Sequence, residues 1–121
     1  MFIKALTQLV LFDLRLFRGD FAALHRCVQD WPVANRPVDR NMVERICSAV
    51  DLACVWYPKH ALCLQRSAAT VCLLRSCGVP AQMVIGVQKL PFKAHAWVEV
   101  NGIVVNDKPY VPEIYAVLDR C

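Results

Sequence analysis

The spacing of apolar residues changes after residue 80, and the change separates a helical part of the chain from a strand-forming part. Before that point, apolar side chains recur every three or four residues, which is typical of helices with one buried face. The pattern predicts four helices. The first two are Phe2–Phe17 and Phe21–Asp30, the second of them capped by Asp20. The third is capped by Asp39 and ends at a turn at residues 57–60, and the fourth begins at Cys63 and stops before Gly78 and Pro80.

Beyond residue 80 the pattern favours strands. Residues 81–87 are rich in Val, Ile and Met, and residues 94–100 and 103–105 alternate between apolar and polar. Asn101-Gly102 between the last two runs predicts a β-hairpin. We expect a loop at residues 89–92 and a short terminal helix after Pro112, within residues 111–121. Helices followed by a small antiparallel sheet indicate an α+β fold, and 121 residues suit a single domain.

Composition and charge argue against several classes of protein. The net charge is +4, but Lys and Arg are scattered and the sequence has no arginine-rich arm. The sequence therefore does not favour nucleic-acid binding. Asp13, Arg15 and Arg18 interrupt the first apolar stretch, which therefore predicts neither a signal peptide nor a membrane span. The seven cysteines are an odd number, and several lie within helical patterns. This favours reduced thiols in a cytoplasm, without a disulfide framework.

Cys63 is the candidate nucleophile, because it stands where a turn gives way to a helix. A thiol in the first helical turn faces unpaired N–H groups and the positive end of the helix dipole, and both favour the thiolate. Lys59, His60 and Arg66 add positive charge nearby. The alternative interpretation of Cys63 is a small buried side chain of the core.

His95 and Asp107 lie on the two strands of the predicted hairpin, and the length of its turn decides whether they meet. A two-residue turn would put the two side chains on opposite faces. We expect a three-residue turn, with Gly102 in the left-handed conformation, which pairs Glu99 with Ile103 and sets His95 opposite Asp107. Cβ atoms of such partners are about 4.5–5.5 Å apart, so that a carboxylate can hold the imidazole.

Together, Cys63, His95 and Asp107 match the nucleophile, base and orienting group of cysteine proteases. In this hypothesis, Asp107 orients His95 and stabilises its charged form, while His95 takes the proton of Cys63. Trp97 follows His95 on the same strand face, where it either shields the imidazole from water or packs the sheet.

No metal or other cofactor is expected. His60, Cys63, Cys72 and Cys77 have spacings near those of zinc ligands. The three cysteines lie along one helix, however, and Cys63 is too far from Cys77 for both to bind one ion.

Several short motifs resemble those of one enzyme family. The order of a Cys helix, a His strand and an Asp strand is similar to the papain-like core of transglutaminase-type proteins. In combination, the motifs between about residues 56 and 107 resemble those of the leader peptidase of bacterial lasso-peptide biosynthesis. They are Cys63-Leu64-Gln65-Arg66-Ser67, Cys77-Gly78-Val79-Pro80-Ala81, Val84-Ile85-Gly86-Val87, Pro91-Phe92, His95-Ala96-Trp97-Val98-Glu99-Val100 and Asn106-Asp107.

The resemblance implies a reaction and its residues. Cys63 would attack a peptide bond of a ribosomally made precursor and release its leader, with His95 as base and then acid and Asp107 as its orienter. The backbone N–H of Cys63 would belong to the oxyanion hole, with Gln65 as a candidate second donor and Trp97 beside the substrate site. The chain would be one cysteine peptidase domain, with a helical part at residues 1–57 and a catalytic core at residues 58–121.

The resemblance also implies partners in a bacterial cytoplasm. The family binds the leader with a small recognition domain, which is either fused or separate. The N-terminal half here predicts helices and not the strands of such a domain, so we expect a separate recognition protein, for which the first helices are a candidate docking surface. The freed amine of the core peptide would pass to an ATP-dependent cyclase.

Two other functions compete with peptide hydrolysis. The same thioester could be transferred to an amine, as in transglutaminases, since the triad alone does not choose between water and an amine. A non-catalytic peptide-binding module would keep the fold, but it would have no need of all three triad residues.

Overall fold

The computed structural model describes residues 2–17, 21–35, 40–56, 63–89 and 91–121. Four long helices precede the strands in these ranges, and a short helix lies before the last strand. No helix within them is long and apolar enough to cross a membrane. The elements are α1 (Phe2–Phe17), α2 (Phe21–Asp30), α3 (Arg40–Trp56), α4 (Cys63–Ser76), β1 (Ala81–Lys89), β2 (Phe92–Val100), β3 (Ile103–Val104), α5 (Val111–Ile114) and β4 (Ala116–Arg120).

The predicted helices and the α+β fold are confirmed. The bounds of α1 and α2 are the predicted ones, and α4 begins at Cys63. Gly78 ends α4 in the left-handed conformation, with a φ of 89°. The N–H of Gly78 donates to the carbonyl of Arg75, and that of Val79 to the carbonyl of Leu74, so that two free carbonyls of the last turn are satisfied. The predicted caps Asp20 and Asp39 and the turn at residues 57–60 lie outside the described residues.

α4 is the centre of the fold. Ten of its 14 residues are buried, because α1 and α3 pack on one side of it and β1 and β2 on the other. Ala68 and Ala69 are fully buried, and their small side chains allow the neighbouring elements to approach closely. Apolar side chains from each neighbour complete the core, among them Leu9, Phe12, Ile46, Val50, Met83 and Val98.

The four strands form an antiparallel sheet in the order β3-β2-β1-β4. Side chains alternate along a strand, so each strand presents two different faces. Met83 and Val98 are cross-strand partners that face α4. Val84 and Trp97 are partners on the opposite face, where they pack with Val111 in a second, smaller cluster.

The predicted three-residue turn is wrong. β2 and β3 pair Val100 with Ile103, so the turn consists of Asn101 and Gly102 alone. Their φ angles are 52° and 79°, and positive values at both positions define the type I′ turn that suits the twist of a two-residue hairpin. Asn tolerates the left-handed conformation, and the chain therefore takes this turn without a bulge.

The predicted terminal helix is also largely wrong. α5 has only four residues, and Tyr115 after it is extended, with φ −110° and ψ 132°. The chain then forms β4, which pairs antiparallel with β1. Two backbone hydrogen bonds between Met83 and Cys121 continue this pairing. The open edge of β1 supplies partners for backbone N–H and C=O groups that a second turn of helix would otherwise have satisfied.

Candidate active site

Cys63 is the first residue of α4 and is half-buried. Its place in the first turn puts it beside backbone N–H groups that have no partner within the helix. All seven cysteines are free thiols in the structure. Burial raises the pKa of Cys47 and of Cys121 to about 11, in each case with help from a nearby aspartate. Those two thiols are poor nucleophiles at neutral pH, because the reactive form is the thiolate.

His95 and Asp107 are in direct contact. The Nε2 of His95 lies 2.6 Å from Oδ2 of Asp107, and the two side chains are 23% and 18% exposed. An ionised carboxylate can only accept, so Nε2 carries the hydrogen in this bond. Nδ1 is then the ring nitrogen that can exchange a proton with another group.

The carboxylate of Asp107 is held in its charged form. Burial acts to raise its pKa, but hydrogen bonds from His95 and from the backbone N–H of Lys108 outweigh this effect. The positive charges of His95 and Arg66 act in the same direction as these bonds, and the pKa of Asp107 lies below its usual value. A charged Asp107 can therefore stabilise an imidazolium at His95.

Asn106 joins this pair to α4. Its Oδ1 accepts the N–H of Val98 on β2 at 2.7 Å, and its Nδ2 donates to Oγ of Ser67 at 3.2 Å. Ser67 lies one helical turn after Cys63, so both residues are on the same face of α4. The amide thus ties the face of α4 that carries Cys63 to the strand that carries His95.

The path of the chain puts Cys63 and His95 toward the same end of the sheet, with His95 on the face that carries Trp97 and α4 on the other face. The far end of α4 is fixed at the start of β1, where Arg75 donates to the first carbonyl of that strand. Ser67 is the residue of α4 that bonds to Asn106. Cys63 lies about 6 Å from Ser67 along the helix axis, in the direction away from Arg75. His95 is three residues before Val98, or about 10 Å along β2 in the same direction.

Two aromatic rings lie against His95. Its ring centroid is 5.2 Å from that of Tyr115 and 6.1 Å from that of Trp97, with 30° between the ring planes in each pair. Trp97 is fully buried, and its Nε1 donates to Oε2 of Glu99 at 2.8 Å. Trp97 therefore packs behind the imidazole within the sheet, and its place beside the substrate stays a prediction.

Gln65 is also buried, at 5% exposed, two residues into α4. Its role as a second oxyanion donor remains a prediction. Sequence reasoning missed Tyr115, because the tail was expected to be helical. It also gave no role to Asn106 or Gly86, although both lie in motifs that carried the resemblance.

No group of three or more His, Cys, Asp or Glu side chains within the described ranges is arranged to hold a metal ion. His60, one of the four residues with spacings near those of zinc ligands, lies outside those ranges.

Comparisons with known proteins identify the family of the chain. A segment of 56 residues is 43% identical to the microcin J25-processing protein McjB of Escherichia coli, and it covers 46% of this chain and 27% of that relative. The chain thus spans well under two thirds of the relative's length. No solved structure matches this chain. The profile of the Transglutaminase-like superfamily matches residues 6–120, almost the whole chain, and the protein therefore belongs to that superfamily, as the motifs predicted.

Proposed function

We propose that this protein is a cysteine peptidase that hydrolyses the leader from a ribosomally made lasso-peptide precursor. Cys63 is the nucleophile, His95 the base and then the acid, and Asp107 the group that orients His95. Residues 58–121 form the catalytic core in this proposal, and residues 1–57 form the helical part of the same domain.

The contact between His95 and Asp107 carries the proposal. A part-buried imidazole that donates from Nε2 to a carboxylate is the arrangement that prepares its other nitrogen to accept a proton. The start of α4, where Cys63 lies, is tied to the same strand through Asn106. Membership in the superfamily and the similarity to a protein named for microcin processing support a reaction on a precursor peptide.

The reaction has two halves, and each conserves its protons. Cys63 gives its proton to Nδ1 of His95, and Sγ attacks the carbonyl carbon of the scissile bond. The backbone N–H of Cys63 donates to the oxyanion, with Gln65 as the candidate second donor. When the C–N bond breaks, His95 returns the proton to the leaving amine, and the leader remains on Sγ as a thioester. Water then gives a proton to His95 and attacks the thioester, which releases the leader carboxylate and restores the thiol.

The product suggests the partners. Cleavage frees an amine on the core peptide, which is the nucleophile that a macrolactam-forming cyclase needs. A separate recognition protein would bring the leader to the peptidase. The exposed apolar side chains of α1 support docking at the first helices, since Ile3, Val10 and Leu11 are 76%, 40% and 43% exposed.

Cleavage of the precursor, with and without the recognition protein, tests the proposal. Cys63→Ala should lower the rate at least about a thousandfold, because no other group replaces the nucleophile. Cys54→Ala is the matched control, since that thiol lies on α3 and its pKa is raised by burial. Asp107→Ala should cost less than His95→Ala, because it removes the orienting group and leaves the base. Full activity in Cys63→Ala would refute the assignment.

The acceptor of the thioester can be identified in the same assay. With hydroxylamine present, mass spectrometry separates a leader that ends in a carboxylate from one that ends in a hydroxamate. A leader carboxylate as the main product in buffer supports hydrolysis. Product that forms only when an amine is added would favour acyl transfer.

A further inference from the structure

Within the part of the chain that the structure describes, the imidazole of His95 makes one hydrogen bond, at Nε2. The bond from Nε2 to Asp107 sets the position of that nitrogen, but it leaves the plane of the ring free to turn, because the second side-chain torsion of His has a broad energy minimum. Proton exchange with Cys63 depends on the direction in which Nδ1 points. A second contact is therefore needed to set the ring plane.

We propose that Tyr115 is the positioning residue that sets this plane, an inference that rests on the proposed role of His95 as the base. The ring of Tyr115 is the closer of the two aromatic rings that stack with the imidazole, at 5.2 Å and 30°. Offset stacking at such distances restricts both rings. The same ring face also stabilises a cation above it, and the imidazolium forms whenever His95 holds the proton of Cys63.

Gly86 makes room for this stack. It is the cross-strand partner of His95 in the pairing of β1 with β2. A Cβ atom at this position would lie 2.8 Å from Cη2 of Trp97 and 2.9 Å from Cβ of Tyr115. Only a residue without a side chain lets both aromatic residues reach their places beside the imidazole.

Tyr115 is held in place from two sides. Behind it, the ring of Trp97 has its centroid 6.2 Å away, and Trp97 is anchored by Glu99, whose Oε1 lies 3.5 Å from Nε of Arg120. Beyond it, β4 begins at the next residue, and the pairing of Val117 with Gly86 sets the height of Tyr115 on the sheet. The C-terminal strand thus delivers the ring to His95.

Three variants test the proposal in the cleavage assay. Tyr115→Leu removes the ring and should lower kcat roughly 10- to 100-fold, because misplacing a reacting group by about 1 Å has effects of that size. KM should change by less than about twofold, since Tyr115 acts through His95 and not on the substrate. Tyr115→Phe keeps the ring and should keep kcat. Tyr110→Leu is the matched control, since it removes an exposed tyrosine from the same segment and should leave both constants unchanged.

The ring N–H of His95 gives a readout that does not depend on cleavage. In ¹⁵N-labelled protein the Nε2 proton bound to Asp107 should give a downfield resonance that persists in Tyr115→Phe and broadens or disappears in Tyr115→Leu. If Tyr115→Leu does not fold, Tyr115→Met takes its place, since it fills similar volume without a ring.

The outcomes separate the two proposals. A wild-type protein that cleaves no precursor but shows the resonance and its dependence on Tyr115 would refute the proposed function and support the positioning role. Two results would overturn the positioning role: a folded Tyr115→Leu with wild-type kcat and an unchanged resonance, or a Tyr115→Phe that loses as much kcat as Tyr115→Leu.

Discussion

Asp107 illustrates how a single carboxylate depends on its neighbours. Two hydrogen bonds, from the ring of His95 and from the backbone of Lys108, hold it in the charged form against the effect of burial, and its pKa is lowered. A lowered native pKa stabilises the folded state at all pH values above the usual carboxyl pKa of 3.8. That contribution is lost as the pH falls through the native value.

Asp107→Asn should therefore be destabilising in a pH-dependent manner. At pH 7 we expect a loss of up to about 2 kcal/mol in the free energy of unfolding, because the amide oxygen can still accept both hydrogen bonds but carries no negative charge. As the pH falls from the usual carboxyl pKa through the lowered native value, the wild type loses the same contribution, and the difference between the two proteins should shrink. Urea unfolding at pH 7 and near pH 3 measures this. Glu113→Gln, an exposed site, is the control. An equal difference at both pH values would contradict the assigned charge.

The cysteines should differ in reactivity for a related reason. Thiols with a pKa of about 11, such as Cys47 and Cys121, are only roughly one part in a thousand thiolate at pH 8. Iodoacetamide should therefore modify Cys63 well before either of them, and peptide mass spectrometry would locate the label. In urea the differences should vanish. A native Cys63 that reacts no faster than in urea would count against a nucleophile activated by its helix.

At the scale of elements, the hairpin shows what a sequence pattern can and cannot establish. Asn101-Gly102 correctly predicted a turn, but the expected register was wrong, so direct cross-strand pairing does not explain why His95 and Asp107 meet. The two side chains meet because the ladder ends early. Beyond Val104, the side chain of Asn106 accepts a hydrogen bond from the N–H of Val98. The chain then bends, and the side chain of Asp107 no longer follows the alternation of side chains between the two faces of the sheet.

The strand pair β1 and β2 permits a direct test of Gly86. Gly86→Ala should lower stability by about 1–3 kcal/mol, because the new methyl group overlaps Trp97 and Tyr115. It should also lower kcat, since both rings lie against His95. Gly102→Ala is the matched control. Its strain comes from a φ of 79° in a turn with nothing within 4 Å, so it should cost about 1 kcal/mol and leave kcat unchanged. Stability and cleavage should be measured on both variants. A Gly86→Ala variant that kept full kcat would contradict the expected effect of the two rings on His95.

At the scale of the whole molecule, Arg75 joins three elements at the end of α4 that is remote from Cys63. It is 7% exposed, and it donates to the carbonyl of Ala81 at 2.8 Å, to that of Trp31 at 3.3 Å and to that of Val28. α2, α4 and β1 therefore share one buried cation, which donates to backbone oxygens of the other two elements.

Arg75→Leu should reduce the free energy of unfolding by about 2–4 kcal/mol, because buried carbonyls lose their donor. The kcat of the folded fraction should stay near that of wild type, since the site lies at the other end of α4. Thermal unfolding and cleavage below the new melting temperature measure the two effects. A large fall in kcat in fully folded protein would show that the two ends of α4 are coupled.

The sequence predicted the helical layers well and the last strand poorly, for a physical reason. α1, α2 and α4 have long apolar patterns and clear Gly or Pro stops. In the tail, Val111, Ile114, Tyr115 and Leu118 also have helical spacing, but the open edge of β1 decides the outcome. The local periodicity of the sequence carries no information about that edge. Neither β4 nor the stacking of Tyr115 on His95 was therefore predictable.

The bare backbone at Gly86 also has an evolutionary consequence. The side chains at positions 86 and 115 compete for one space beside the imidazole, so the sizes of these two residues should covary among related chains. Relatives with a side chain at the first position are expected to carry a smaller residue at the second and to hold their histidine by another route. A compensating pair such as Gly86→Ala with a smaller residue at Tyr115 would then regain folding before it regained turnover.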